Sequence, residues 1–591
     1  MTRTIRLLAA ILLLGKVASA ASIEYTVEID TTDLSGISLG LSFTALEDNP
    51  VVKLPNWMPG AWMVADYARH LSEMQAEDAL GTVLKVDKVA ANRWLIECQQ
   101  GREVRLQYRQ NSSPRGFMGQ KITSTGGTLF GAPTFIFVTG QLLQPLTIQF
   151  KVPSNWEIHT GLEPVATPGI GSSLFRATDY HQLIDSPFRL GLCDSRTFPA
   201  GNKLITVVLP TDGDFNRQDF QEMVAALVEE QTDFFGSSPF ERFLFFIHYT
   251  RGTSGGGGLE HRNSTSIGLP LAQLQSDLRL TAPILAHELF HAWNMKQFFP
   301  LGFRNFEYEL PLRTSAFWLG EGITDYYGWL LTLRSSVLLT EEEFLQKIAQ
   351  EIAQLEETAA RDTVSVAEAS RSVWEQGYAG GGVDFYNKGF LVGWSLDFEL
   401  RQTTAAAHTL DDYLRLLAER FGGTAGYSDN DLLLAMGELA GRDMTQFFAS
   451  YIEGTIPLDY AAILRTAGLK LNLERNQIGW IGDLTLFGPE HRFYMIGNST
   501  PLGRAGVQRG DALLAIGEWQ LTGTPEATAV IEAMEPGSAT YLVVERNGDV
   551  LQLPLVIASR DRVTADIYVD PNADNTRHRF RRQWLSGATT D

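Results

Sequence analysis

Cysteine is scarce: Cys98 and Cys193 are the only two in 591 residues. That excludes a disulfide-stapled scaffold and any zinc or iron–sulfur site built from four thiolates. Positive charge is also short, with 48 Lys and Arg against 69 Asp and Glu and a formal charge of -21. Such a chain repels phosphate backbones and anionic lipid, which argues against nucleic acid as a partner. Beyond the first twenty residues, no apolar run approaches the ~20 residues that a membrane span needs. What is present is 44% apolar and 10% aromatic. That composition packs cores and excludes disordered, collagen-like and coiled-coil classes. At about 150 residues per domain, the length predicts three or four domains.

The first twenty residues have the pattern of an export signal. Arg3 and Arg6 precede an apolar run from Leu7 to Gly15, and Ala18-Ser19-Ala20 offers the small residues of a cleavage site. The expectation is a signal peptide over residues 1–20 and a periplasmic or secreted protein; an uncleaved N-terminal anchor is the alternative. In that compartment Cys98 and Cys193 are free to pair, but their spacing does not decide it.

Hydrophobic periodicity then divides the chain. Residues 21–200 alternate apolar and polar, as in Ile23–Ile29 and Val104–Tyr108, between Gly, Asn, Asp and Pro clusters; this predicts an N-terminal β-sandwich. Residues 201–466 open with a helix over Phe220–Phe235 and a buried strand over Phe243–Tyr249, then become mainly helical. Short strands return over residues 467–560, and residues 561–591 are polar, with a basic patch at His578–Arg582 that predicts a solvated tail. The fold class expected is multidomain α+β.

Two segments near the middle carry chemistry. His287-Glu288-Leu289-Phe290-His291 places two imidazoles four residues apart on one face of a helix, where both reach one metal ion; Glu288 can serve a water on that metal as general base. Thr281 is the expected N-cap and Pro283 suits the first turn. A catalytic zinc takes three protein ligands and leaves a fourth position open. Glu321, in Trp318-Leu-Gly-Glu-Gly-Ile-Thr-Asp325, is the candidate third ligand. Asp325, one turn on, could accept the free ring N–H of His287 or His291. Their neighbours Phe317, Trp318, Tyr326, Tyr327 and Trp329 are too apolar for an ordinary solvated face, and a buried carboxylate demands a partner.

Two further segments suggest a substrate side. Gly255 to Gly258, ahead of Leu259-Glu260-His261, lets a backbone come close or presents N–H and C=O groups to an extended peptide, so Gly257 and Gly258 are candidate substrate-binding residues. Glu260 could pair with a substrate α-ammonium; a flexible loop with a solvated Glu is the plain alternative. Tyr386, before an apolar helix, could donate a hydrogen bond to an oxyanion, although most tyrosines at helix starts only pack.

Together these segments resemble the glycyl aminopeptidase family of zinc metallopeptidases with a C-terminal PDZ domain, a gluzincin family. The resemblance rests on Leu54-Pro-Asn-Trp-Met-Pro-Gly60, Gly257-Gly-Leu-Glu-His261, His287 to Asn294 with Lys296, Glu321-Gly-Ile-Thr-Asp-Tyr-Tyr327 and Tyr386-x-Lys388-Gly389. It implies one zinc ion held by His287, His291 and Glu321, Glu288 as base, Glu260 on the substrate amine and Tyr386 on the oxyanion. It also implies peptide substrates with small N-terminal residues, glycine or alanine. Phe298-Phe299-Pro300 stands where the family often has Arg before Pro. Asn498 to Ile516, with Ala505-Gly506 and Gly510-Asp511, resembles a PDZ signature; it places the loop that would take a peptide carboxylate near Phe493–Ile496, without the usual Gly-Leu-Gly-Phe form. Three functions compete on this basis: an aminopeptidase, an endopeptidase that captures protein tails with the PDZ domain, and a non-catalytic peptide-binding scaffold. Retention of Glu288 disfavours the last, since a structural metal site has no use for a base.

Overall fold

The computed structural model describes residues 23–112, 122–165, 172–250, 256–304, 306–335, 338–376, 382–423, 426–484, 486–487, 490–494, 496–520 and 524–588. The expected signal segment, residues 1–20, lies outside them, as do Gly255 and Met495. The architecture is multidomain α+β, with an N-terminal β-sheet domain, a largely helical catalytic domain and a C-terminal β domain.

The N-terminal domain is built on an eight-stranded sheet. Its strand Ile23–Glu28 pairs parallel with Leu146–Lys151 and antiparallel with Gly36–Thr44. The sequence alternation is the cause: Ile23, Tyr25 and Val27 point inward while Glu24, Thr26 and Glu28 face water. A four-stranded and a three-stranded sheet contribute Val52, Trp94, Phe188 and Leu190 to the same apolar core. That core also takes in Leu259 and Tyr308, so the domain is fused to the catalytic part rather than hung from it.

The catalytic domain starts earlier than expected. Cys193–Ala200, assigned above to the N-terminal domain, forms a hairpin with Lys203–Pro210 and so opens the catalytic five-stranded sheet. That sheet continues through Arg242–Thr250 and Ser264–Pro270 to Gly257–His261 as its outermost strand. Helix Arg217–Phe235, capped by the Asn216 side chain, buries Phe220, Met223, Leu227 and Phe234 in the main core. Helix Ala282–Phe290 carries the His-Glu-x-x-His segment and is buried on nearly every side. Thr281 does not cap it; its hydroxyl donates to the Leu278 carbonyl instead, because the preceding turn is a short 3₁₀ segment that claims it.

From Leu469 the chain leaves along a strand, Leu469–Trp480, that pairs over its whole length with Ala558–Val569. Between them sits a small β domain with its own core around Ile481, Phe493, Leu513 and Leu542. The loop expected to take a carboxylate near Phe493–Ile496 includes Met495, outside the described residues. A cavity of about 170 Å³ lies between Gly479–Leu484 and helix Thr524–Glu532, lined by Trp480, Asp483, Ile531 and Arg560.

The segment 561–591, expected as a solvated tail, is integrated into the body. Ala558–Val569 packs along helix Glu341–Glu357, where Val563 N–H donates to Glu357 at 2.8 Å. Helix Asn575–Ser586 then inserts Trp584 into the catalytic core, with its ring 4.8 Å from that of Phe398 and its Nε1–H donating to the Tyr326 hydroxyl at 2.7 Å. Arg581 of the basic patch pairs with Glu341. Full burial of one such side chain is worth about 2–3 kcal/mol, which offsets the polarity of the rest of the helix. Cys98 and Cys193 are both free. No described helix is long and apolar enough to cross a membrane.

Candidate metal centre

His287 Nε2 and His291 Nε2 lie 3.1 Å apart, and Glu321 Oε2 is 3.7 Å and 3.3 Å from them. Four bonds of about 2.05 Å arranged tetrahedrally, as zinc prefers, set donors about 3.3 Å apart. The three donors therefore fit that ion as they stand, and they form a buried set able to hold a metal. The electrostatics agree. Burial disfavours the His287 imidazolium, but Asp325, Glu321 and Glu288 outweigh it and lift its pKa to about 10. Burial likewise opposes charge on Glu321, yet His291 and His287 hold its carboxyl well below the usual range. Such a pocket calls for positive charge, whether from a proton or a metal.

Glu321 sits on a π-helical turn, Trp318–Ile323, that runs into helix Thr324–Arg334. The wide turn re-aims the carboxylate, a use to which π segments are often put. It packs backbone to backbone against helix Phe385–Thr403: a Cβ on Gly322 would come 2.5 Å from the Gly389 Cα. Two glycines thus permit the approach that stacks the Tyr386 ring over His287, centroids 6.1 Å apart at 24°. The chain turn brings Asp325 to His287 rather than His291, 3.6 Å from Nδ1, with Lys347 on its far side at 3.6 Å. Lys388, two residues beyond Tyr386, points away and donates to the Arg361 and Val364 carbonyls.

Glu288 is buried beside the donors, with Thr265 Oγ1 3.4 Å from Oε2. Burial raises its pKa to about 7 against the pull of His287 and His291. Gly258 is glycine because Glu288 fills the space of its side chain: a Cβ there would lie 2.0 Å from the Glu288 carboxyl carbon. Strand Gly257–His261 thus runs directly past Glu288, with its outer side unpaired among the described residues. Glu260, on the same strand, is buried and 3.7 Å from Lys296, which in turn pairs with Asp185 at 2.9 Å.

Comparison with known families matches residues 24–192 to the peptidase M61 N-terminal domain and residues 281–392 to M61 glycyl aminopeptidase. The chain carries a peptidase M61 N-terminal domain and an M61 glycyl aminopeptidase domain. It is a zinc metallopeptidase of the aminopeptidase kind. Among solved structures, the chain shares its fold with the aminopeptidase N family protein from Idiomarina loihiensis, with TM-score 0.81, 23% identity, and 95% of this chain and 100% of that one covered. An M1 zinc metallopeptidase mutant from Deinococcus radiodurans (TM-score 0.47, 17% identity, 74% and 94% covered) and yeast LTA4 hydrolase (0.47, 12%, 76% and 70%) are more distant. No curated protein matches the sequence.

The sequence reading gave no role to three residues at this site. Asn294 closes the helix end: its carbonyl is 3.2 Å from His291 Nδ1, and its amide donates to Leu319 O and Thr324 Oγ1, tying the two metal-donor segments together. Asp185 comes from the N-terminal domain to hold Lys296. Trp62 comes from the same domain, and its indole Nε1–H donates to Glu321 Oε1 at 2.8 Å. The only available signal was the Trp-x-Pro-Gly stretch just before Trp62, which named no partner.

Proposed function

We propose that this chain removes N-terminal residues from peptides with one zinc ion held by His287, His291 and Glu321. One juxtaposition carries the reading: the donor triad, buried Glu288 beside it, and the outer edge of strand Gly257–His261 leading to Glu260. Zinc bound there supplies a Lewis acid that acidifies water and polarises a carbonyl. An extended substrate adds along Gly257 and Gly258 through main-chain hydrogen bonds, and its α-ammonium pairs with Glu260. Glu288 takes the proton of the attacking water and returns it to the departing amine; a pKa near 7 suits both halves of that transfer. The Tyr386 hydroxyl donates to the carbonyl oxygen as charge develops on it. Asp325 biases His287 to present Nε2 to the metal, as the Asn294 carbonyl does for His291.

Small N-terminal residues, glycine or alanine, are the substrate class that the family's name supports. The C-terminal β domain reads as PDZ-like, and the cavity beside helix Thr524–Glu532 is its place for a peptide tail. The N-terminal Arg-apolar-Ala-x-Ala pattern supports export to the periplasm or beyond.

The test pairs zinc content with initial rates on Gly-, Ala- and Leu-p-nitroanilides and an N-acetylated control, in the parent and in Glu288→Gln. One zinc in both proteins, with turnover of free amines only and a loss of about 10²–10⁴ in the variant, is expected. Turnover surviving in Glu288→Gln overturns the base assignment, and cleavage of the acetylated substrate overturns the role of Glu260 in favour of an endopeptidase.

A further inference from the structure

We propose that Trp62, from the N-terminal domain, is a positioning residue for the metal site: it fixes which oxygen of Glu321 faces the metal. The inference rests on the zinc reading above. Glu321 has two chemically equal oxygens, and the structure distinguishes them. Oε2 faces both imidazoles, while Oε1 accepts the indole N–H at 2.8 Å. Trp62 and Glu321 are 3% and 2% exposed, so the bond is shielded from bulk solvent. A carboxylate with one oxygen so occupied gives the metal a single bond and leaves a coordination position for water.

The indole is held for this task. Trp62 adopts φ +41°, an uncommon backbone for a bulky side chain, which persists only where its surroundings impose it. Those surroundings are aromatic: Phe317, 4.5 Å away, and Phe303 and Trp374 beyond it. Its loop is pinned to the segment before the π turn, with Asn56 N–H on the Tyr308 carbonyl and Trp57 Nε1–H on the Leu310 carbonyl. Gly60 in that loop, at φ +88°, brings bare backbone against Glu260, where a Cβ would lie 2.5 Å from Oε2. One stretch of the N-terminal domain therefore touches both the third donor and the proposed amine anchor.

The experiment measures zinc affinity by chelator competition in the full chain, comparing the parent with Trp62→Phe and Trp62→His. Phenylalanine keeps an aromatic ring in the cage and loses the donor. Histidine is smaller, yet its Nε2–H falls where the indole Nε1–H does on the shared five-membered ring. Trp62→Phe is expected to weaken zinc binding about 10–100-fold, as removal of a group bonded to a ligand does, and Trp62→His to recover part of that loss. In a Glu321→Gln background the Phe substitution is expected to matter much less. Affinity within about twofold of the parent in Trp62→Phe, His no tighter than Phe, or an equal loss in both backgrounds overturns the proposal. A readout needing no substitution is the set of indole N–H resonances: stripping zinc must shift at least one, and a spectrum with none moved also overturns it. Zinc absent from the parent would instead defeat the reading on which this inference rests.

Discussion

The third-donor segment is gripped from two sides by two indoles, and they do different things. In front, Trp62 of the N-terminal domain bonds the Glu321 carboxylate itself. Behind, Trp584 of the last helix bonds the hydroxyl of Tyr326, which also donates to Asp397 inside a buried ion-pair network with Arg401. The front contact holds the carboxylate whose other oxygen faces the two imidazoles; the back contact holds a hydroxyl bonded to Asp397, away from them. Similar geometry and similar burial therefore imply different consequences, one for metal and rate and the other for stability.

The largest effect expected is at the back. Trp584→Ala empties a fully buried site and is expected to cost about 3–5 kcal/mol in unfolding free energy, read by denaturant titration, with kcat on Ala-p-nitroanilide little changed. A fall in kcat as large as the fall in stability would break the distinction. Next comes the front. Tyr386→Phe removes only a hydroxyl and is expected to lower kcat about 10²–10³-fold with the melting temperature retained. An unchanged kcat would leave Tyr386 a packing residue. Gly389→Ala sharpens the comparison because it should register on both sides. Its Cβ would come 2.9 Å from Trp318, prising the π turn from the Tyr386 helix, so a loss of about 1–3 kcal/mol and a measurable loss of rate are expected together.

The smallest effect concerns Lys388, on the Tyr386 helix but facing the back. Burial lowers its pKa to about 8, below the ~10.4 of an unfolded lysine. Between those values the unfolded chain binds more protons, so this group makes stability rise as pH climbs from about 8 to 10. Relative to Lys388→Met, the parent should gain on the order of 1 kcal/mol across that window. A difference between the two proteins that is flat with pH would mean that folding leaves the Lys388 pKa at its unfolded value.

Much of the site was legible because it is local. His287, Glu288 and His291 share a helix, and Glu321 and Asp325 occupy one turn, so a 3.6-residue period and ligand chemistry suffice to group each set. Where the reading failed, local pattern was silent or misleading. Strand Ala558–Val569 opens on the polar run Ser559-Arg560-Asp561-Arg562, and helix Asn575–Ser586 is rich in Arg; the helix does not look buried until Trp584, Leu585 and Phe580 meet a partner surface. The hairpin across residue 200 escaped notice because Cys193–Ala200, polar from Asp194 through Thr197, has no alternation that ties it to the strand after it. Thr281 is a good cap by composition, yet the turn before it claims its hydroxyl. Nothing in the order of residues distinguishes a π turn from an α turn at Glu321.

Residue type and spacing, then, are enough to single out His287, His291 and Glu321 as candidate donors and Glu288 as candidate base, because those groupings depend on separations of a few residues. Which oxygen of Glu321 meets the donors is another matter. It is set by an indole 259 positions away in sequence, in a different domain, and ring stacking and burial that exist only in the folded chain bring it there.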